Sequence, residues 1–238
     1  MLRTSRITSD PLDILRHYAL GDLVGYQKNE DTPTVWQREA HRGVHLLGEV
    51  RVPKSQRRYV FHPKFELRFD TAFEAVLRAC AERPTGRSWV TPPLVDGYLA
   101  LHRMGFAHSF EAWCDGQLAG GCFGVQIGSY ISVDSMFYTV SNASKAAYGQ
   151  ALVRLKERGF TLVDSNPVSD EARNYGEEWV PQWRYEELLA AAIDGHATLA
   201  DHVPCPPLPD KVRRGLPLAR FVRKVAVKVQ RYVGLDKM

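Results

Sequence analysis

No apolar run in this chain approaches the ~18 residues that a membrane-spanning helix needs. Its opening residues, Met1-Leu2-Arg3-Thr4-Ser5-Arg6, lack the apolar core of a secretory signal. A cytoplasmic protein with no membrane role is the expectation. Cysteine is scarce: Cys80, Cys114, Cys122 and Cys205 show no CxxC spacing, which argues against a disulfide framework or a zinc site and for reduced thiols. No internal repeat is visible, so a solenoid is excluded.

What remains is the profile of an ordinary globular enzyme, 238 residues long with 45% hydrophobic and 24% charged residues. The net charge of +4 is unevenly spread. Between Arg42 and Arg68 stand Arg42, Arg51, Lys54, Arg57, Arg58, Lys64 and Arg68, against only Glu49 and Glu66. After Asp210 come nine basic residues against Asp236 alone. Such clusters suit either a polyanionic partner or a solvated charged face.

The pattern predicts a small N-terminal lobe with its basic connector over 1–62, a main domain over 63–202, and a Pro-rich connector with a basic amphipathic tail over 203–238. Asp10-Pro11 starts a helix that stops before Gly21. The stretch from Tyr26 to Val52 reads as short and broken. Phe65 to Phe69 alternates like a strand, and Asp70-Thr71 with Glu74 resembles a capping box before the next helix. A further helix runs from about Leu94 to Met104. Three alternating segments follow, the first two joined at Asp115-Gly116, a type I′ hairpin signal. Ser141 or Asn142 caps a helix reaching Arg158, Phe160 to Val163 forms a short strand, and a helix covers Tyr185 to Ala192. This order predicts an α+β fold of the Gcn5-related N-acetyltransferase kind.

Asp164 ends an apolar strand, where open sheets place their sites. It reads either as a carboxylate that orients or deprotonates an amine, or as a turn Asp within Asp164-Ser165-Asn166-Pro167. Asp134 interrupts the β-like run Tyr130-Ile131-Ser132-Val133, and is either a buried acid awaiting a cationic partner or a strand Asp facing water. Trp36, Trp89, Phe123, Met136 and Phe137 are either pocket or plain core. His41 and His45 have helical spacing but no third ligand in view. His108 and Ser109 are adjacent, so in a strand they face opposite sides and form no hydrolase pair. The segment Gln117-Leu118-Ala119-Gly120-Gly121-Cys122 is a weak version of the pyrophosphate turn of acyl-CoA transferases.

The ordered series Trp89-Val90-Thr91, Gly105 to Trp113, Gly120 to Val125, Asp134 to Phe137, Asn142-Ala143-Ser144-Lys145 and Leu162 to Asn166 resembles the leucyl/phenylalanyl-tRNA–protein transferases. The resemblance implies an aminoacyltransferase that moves Leu or Phe, or Met, from charged tRNA to proteins beginning with Arg or Lys, marking them for degradation. It implies no metal, no coenzyme and no DNA partner. Asp164 then matches the family's acidic strand-end residue, while Asn166 stands where Gln is usual and shares the catalytic role. Asp134, where the family carries Glu, falls to the acceptor N-terminus. Trp36, Trp89, Phe123, Ser135 and Met136 fall to the aminoacyl and adenine pocket. Ser55-Gln56-Arg57-Arg58-Tyr59 matches the basic element used against the acceptor stem, so Lys54, Arg57 and Arg58 are the expected tRNA contacts. Departures also occur at Cys122-Phe123, at Pro92 and over Lys28 to Asp31. Two alternatives stand beside this: an acyl-CoA N-acyltransferase, and a catalytically altered homologue that binds RNA or degrons.

Overall fold

In the computed structural model, the described residues are 5–26, 33–82, 88–166, 170–199, 205–214 and 216. After a two-residue strand β1 (Ser5–Arg6), Asp10 starts helix α1 (Pro11–Leu20) as expected, its side chain accepting from the Leu12 amide at 2.9 Å. Strands β2 (Leu23–Tyr26) and β3 (Pro33–Gln37) join β1 in a small antiparallel sheet of order β1-β3-β2.

Next come β4 (His41–Leu46), α2 (Lys54–Val60), β5 (Glu66–Phe69), α3 (Phe73–Ala81) and α4 (Pro92–Arg103). The hairpin of β6 (Ala107–Cys114) and β7 (Gln117–Ile127) turns at Asp115 and Gly116, both at positive φ, as its sequence demands. Then follow β8 (Tyr130–Ser132), β9 (Ser135–Tyr138), α5 (Ala143–Glu157), β10 (Leu162–Asn166), α6 (Asp170–Arg173), β11 (Glu178–Pro181), α7 (Gln182–Ile193) and α8 (Asp210–Arg213).

The architecture is α+β. An eight-stranded sheet runs β11-β4-β10-β8-β7-β6-β5, with β9 branching off β7. One apolar cluster joins α1, α4 and α7 to the sheet through Ile14, Leu15, Tyr98 and Tyr185. A second lies under α5, around Leu152, Leu155, Val163 and Val60 of α2. Burying a side chain of this size contributes roughly 1.5–3 kcal/mol.

Several expectations need correction. The sheet crosses the division drawn at residue 62, because β4 pairs with both β10 and β11. His41 and His45 both lie on that strand. The capping box at α3 does not form: Asp70 turns to the Ser109 amide and His108, and Glu74 pairs with Arg78. Buried Glu111 takes the Thr71 and Ala72 amides instead, at 2.9 and 2.8 Å. Asn142 precedes α5 but makes no capping bond. Of the tail, Val212 and Leu216 are buried in the first cluster. Residues 217–238, which carry the predicted amphipathic stripe, lie outside the described residues.

Candidate active site

The site begins where one backbone changes partners. Strand β8 runs parallel to β10, with Ser132 opposite Asp164. The Val133 amide still donates to the Asp164 carbonyl at 2.7 Å, but the Asp134 amide donates to the Phe123 carbonyl at 2.9 Å. Gly124 permits the crossing, since a Cβ there would stand 1.7 Å from the Ser132 carbonyl oxygen. Asp134 therefore sits at the fork between β10 and β7. Beside it, β10 bulges between Asp164 and Asn166, and Asn166 takes the left-handed conformation at φ 62°, which Asn tolerates better than most residues.

Asn166 is held on three sides. Its backbone N–H donates to Asp164 Oδ1 at 3.0 Å, and its Nδ2 donates to the Val133 carbonyl and to Asp134 Oδ1, both at 3.2 Å. The Val133 carbonyl can only accept, so the amide nitrogen must face it, and the amide oxygen points the other way. That orientation leaves the amide oxygen as an acceptor on a residue that lines the cavity described below.

Asp164 itself is completely buried. Its Oδ2 accepts from Arg42 Nη2, from Tyr185 Oη at 2.6 Å and from Tyr130 Oη at 3.2 Å. Arg42, also buried, donates to the Gly21 carbonyl at 3.0 Å and lies over the Tyr185 ring at 4.4 Å. Burial opposes the guanidinium charge, but Asp164 together with Tyr185 and Tyr130 outweighs it and holds the Arg42 pKa above its ordinary value. Burial pushes the Tyr130 and Tyr185 phenols up, so both stay protonated as donors. Asp164 is thus fully buried and is not among the residues that line the cavity described below.

Asp134 differs in every respect. It is half-buried, its Oδ2 accepting from Tyr18 Oη at 2.7 Å, and Tyr18 meets the Tyr98 hydroxyl at 2.6 Å. Burial pushes its pKa up to about 7, against the hydrogen bonds from Tyr18 and Asn166, and the nearby Asp164 charge adds to the rise.

A cavity of about 310 Å³ opens on Asp134 and Asn166, with Tyr18, Asp22, Trp36 and Trp89 in its walls. His17 fixes Trp36 by stacking on it at 4.8 Å, while its Nδ1 meets Asp22 at 2.8 Å. The indole Nε1 of Trp36 is buried without a hydrogen-bond partner, a state that costs about 1–3 kcal/mol. Of the expected pocket residues, Trp36 and Trp89 line this cavity. Phe123 lies behind Trp89 at 6.3 Å, Ser135 is buried on β9, and Met136 packs on the α5 side.

Lys54, Arg57 and Arg58 are exposed on α2, away from the cavity walls. Arg58 borders a separate groove of about 570 Å³ with Tyr59, His62, Lys64 and Asn142, and Lys145 lies 5.1 Å over the Tyr59 ring. Arg42 must be removed from this basic cluster, since it is buried, and Arg68 is engaged by Glu66 at 2.8 Å.

The other candidates are structural. His45 bonds Tyr148 Oη at 2.7 Å, and burial lowers its pKa to about 4, so it stays neutral. His108 pairs with Asp70 while Ser109 points to Glu111, as the strand alternation requires. Gln117 to Cys122 lies within β7, not in a turn at a helix N-terminus, and so cannot cradle a pyrophosphate. All four cysteines are free thiols. Among the described residues no cluster of three His, Cys, Asp or Glu side chains is placed to hold a metal, and no helix is long and apolar enough to cross a membrane.

Residues 44–190 match the family profile described as leucyl/phenylalanyl-tRNA protein transferase. The chain belongs to that family. A leucyl/phenylalanyl-tRNA–protein transferase of Nitrobacter winogradskyi is 37% identical over 82% of this chain and 86% of its own length. One of Paramagnetospirillum magneticum is 34% identical over 82% and 96%. Among solved structures, a GCN5-related N-acetyltransferase-like protein of Streptococcus suis overlaps 60% of this chain and 61% of its own, at 14% identity and a TM-score of 0.34. That overlap is too loose to inform the reaction.

Sequence reasoning missed Tyr18, Tyr98, Tyr130, Tyr185 and Arg42. They are scattered along the chain and meet only in the fold. No local signal marks them.

Proposed function

We propose that this chain is a cytoplasmic aminoacyltransferase that moves Leu or Phe, or Met, from charged tRNA to the N-terminal amine of proteins beginning with Arg or Lys, marking them for degradation. Family membership supports the aminoacyl-tRNA donor and the protein acceptor. The single observation that carries the site is Asn166 in the cavity lining, its Nδ2 held by the Val133 carbonyl and Asp134 Oδ1 so that the amide oxygen is left to accept.

In this reading the acceptor α-amine, neutral when it attacks, donates an N–H to Asn166 Oδ1 and points its lone pair at the ester carbonyl. The C–N bond forms, the ester C–O bond breaks, and the tRNA 3′ hydroxyl leaves with the amine's proton. Aminoacyl esters are already activated, so orientation supplies much of the acceleration. Asp164 works through Asn166 by anchoring its backbone N–H; it is a positioning residue.

Asp134 takes the basic side chain of the acceptor. It is a carboxylate on the cavity that already accepts from a phenol and an amide, and a guanidinium or ammonium would complete its shell. The Trp36 indole N–H and the Trp89 ring suit the adenosine end or the transferred side chain. Arg57, Arg58 and Lys54 meet acceptor-stem phosphates. The test is incubation with a mixture of charged tRNAs and peptides of different N-termini, followed by mass analysis. Leu or Phe added to Arg- and Lys-initiated peptides is expected; equal modification of all N-termini, or none, rejects the reading.

A further inference from the structure

Strand β10 carries Asp164, Ser165 and Asn166 in succession, and alternation sends the first two to opposite faces of the sheet. Asp164 enters the buried cage with Arg42. Ser165 takes the α5 side, where Val163 packs and the Tyr148 phenol is close, and its hydroxyl donates to Glu177 Oε1. That bond sits at the bulge of β10, between the residue that anchors Asn166 and Asn166 itself.

Glu177 reaches this place by a defined turn. After α6, the Gly176 N–H donates to the Arg173 carbonyl at 3.1 Å and the Glu177 N–H to the Ala172 carbonyl at 3.3 Å, with Gly176 left-handed at φ 85°. This is the Schellman pattern, in which the residue after the glycine is commonly apolar and packs back on the helix. Here that residue is a half-buried acid. Ala172 and Tyr175 are buried in the cluster under α5, which pins the turn to the domain. Gly43, opposite Asn166 on β4, makes room for the carboxyl. A Cβ there would collide with Glu177 Oε1 and stand 2.9 Å from the Asn166 carbonyl oxygen. Glu177 therefore lies over Gly43, next to the backbone of the bulge.

The placement carries a penalty. Glu177 Oε2 is buried without a hydrogen-bond partner. Burial holds the carboxyl above its ordinary pKa, against the Ser165 hydrogen bond and the Arg173 charge, and the Asp164 charge adds to the rise. An apolar residue would complete the turn without that penalty; what the carboxyl adds is its hold on Ser165. Left-handed backbone outside glycine persists only where its surroundings over-determine it. Bonds on opposite faces of β10, at Asp164 and at Ser165, do so for Asn166.

We infer that Glu177 is a positioning residue for aminoacyl transfer, acting through Ser165 to hold the α5 side of the bulge that presents Asn166, as Asp164 holds the opposite side. This rests on the proposed contact between Asn166 and the acceptor amine.

The test joins kinetics to amide hydrogen exchange. In Glu177→Ala, kcat should fall about tenfold, the scale of one hydrogen bond to a charged group, with KM for charged tRNA and for Arg-initiated peptide unchanged. Glu177→Gln keeps an acceptor for the Ser165 hydroxyl and should recover most of that rate. Ser165→Ala should match Glu177→Ala, and the double variant should lose no more than either alone, because the two residues act as one unit. Exchange of the Asn166 backbone N–H should quicken in Glu177→Ala while the Leu162 and Val163 amides keep their protection. Equal acceleration at all three amides with a wild-type kcat would make Glu177 a plain stabiliser of the fold and overturn the inference. So would additive losses in the double variant, a Gln variant as slow as Ala, or a raised KM with unchanged kcat. If the wild-type protein transfers neither Leu nor Phe, the reading of Asn166 fails, and the exchange comparison still upholds or overturns the clamp on the bulge.

Discussion

Asp164 and Asp134 are bridged by one asparagine, yet they are opposites. Asp164 is sealed behind the wall with a guanidinium, two phenols and a backbone amide. Asp134 opens on the cavity with one phenol, one side-chain amide and no ion-pair partner among the described residues. A buried carboxylate with a cation keeps its charge; one without a cation holds its proton more tightly. The second is therefore the place where an arriving cation gains most.

The largest effect should follow from opening the sealed side. Asp164→Ala leaves Arg42 buried and unpaired, a loss that typically costs about 3–5 kcal/mol. A urea midpoint close to wild type would contradict the cage. Replacing both partners, Arg42→Met with Asp164→Leu, should recover much of that stability, because a buried ion pair and an apolar pair of similar size are often close in energy. Transfer should stay low in the double variant, since Asn166 has lost its anchor. Recovery of both stability and transfer would remove the positioning role.

Between the two acids, Asn166→Ala should lower kcat about a hundredfold, the usual scale for one lost orienting group, with a modest fall in melting temperature, since Ala tolerates the left-handed backbone less well by roughly 1 kcal/mol. Asn166→Gln is the informative companion. It restores the amide one carbon longer and should recover part of the rate if reach, and not backbone conformation, limits this chain. A Gln variant no better than Ala would assign the residue's importance to its left-handed backbone at φ 62°.

The open side should respond to pH. The Asp134 pKa is raised to about 7 from an unfolded value near 3.8, chiefly by burial. Between those values the folded protein holds a proton that the unfolded chain has released, so this group's contribution to stability falls as pH rises toward 7 and then levels. A bound Arg or Lys side chain stabilises the carboxylate and reverses the penalty, so affinity for basic acceptors should climb over the same window. Asp134→Asn should flatten both profiles and raise KM for Arg-initiated peptides about tenfold, some 1.5 kcal/mol for a charge-assisted bond. Ala-initiated peptides should be spared. A uniform loss across all N-termini would make Asp134 a structural acid like its neighbour.

The sequence disclosed the two sides unequally. Asn166 stood out only through the family resemblance, whereas Asp134 and Asp164 stood out because each marks a local pattern, a strand interrupted by an acid and an apolar strand ending in one. The Asp115-Gly116 hairpin and the helices from Pro11 and Tyr185 were legible for the same reason, since their signals are local. Strand β4 was not: His41-Arg42-Gly43-Val44-His45-Leu46 hides between covered faces, so its polar residues meet individual partners and the usual alternation disappears. Arg42 consequently read as surface charge. The phenols of Tyr18, Tyr98, Tyr130 and Tyr185 come from α1, α4, β8 and α7, and their convergence is a property of tertiary packing alone.

The smallest effect should come from charges remote from both acids. Arg57→Ala with Arg58→Ala removes two exposed cations from α2 and leaves the buried Gln56 and Val60 in place, so stability should hold. If these side chains meet phosphates, charged-tRNA affinity falls alike for every isoacceptor, and the magnitude of its log–log salt slope drops by roughly 1.4 to 1.8. Acceptor KM and the pH window set by Asp134 should not move, because neither arginine is among the groups that shift the Asp134 carboxyl and neither lines its cavity. A shift in the Asp134 window would show the two charge systems to be coupled. An unchanged salt slope with weaker binding of only some tRNAs would show that Arg57 and Arg58 read bases, and the phosphate track would have to be sought instead at Lys64 and Lys145, beside the groove that Arg58 borders.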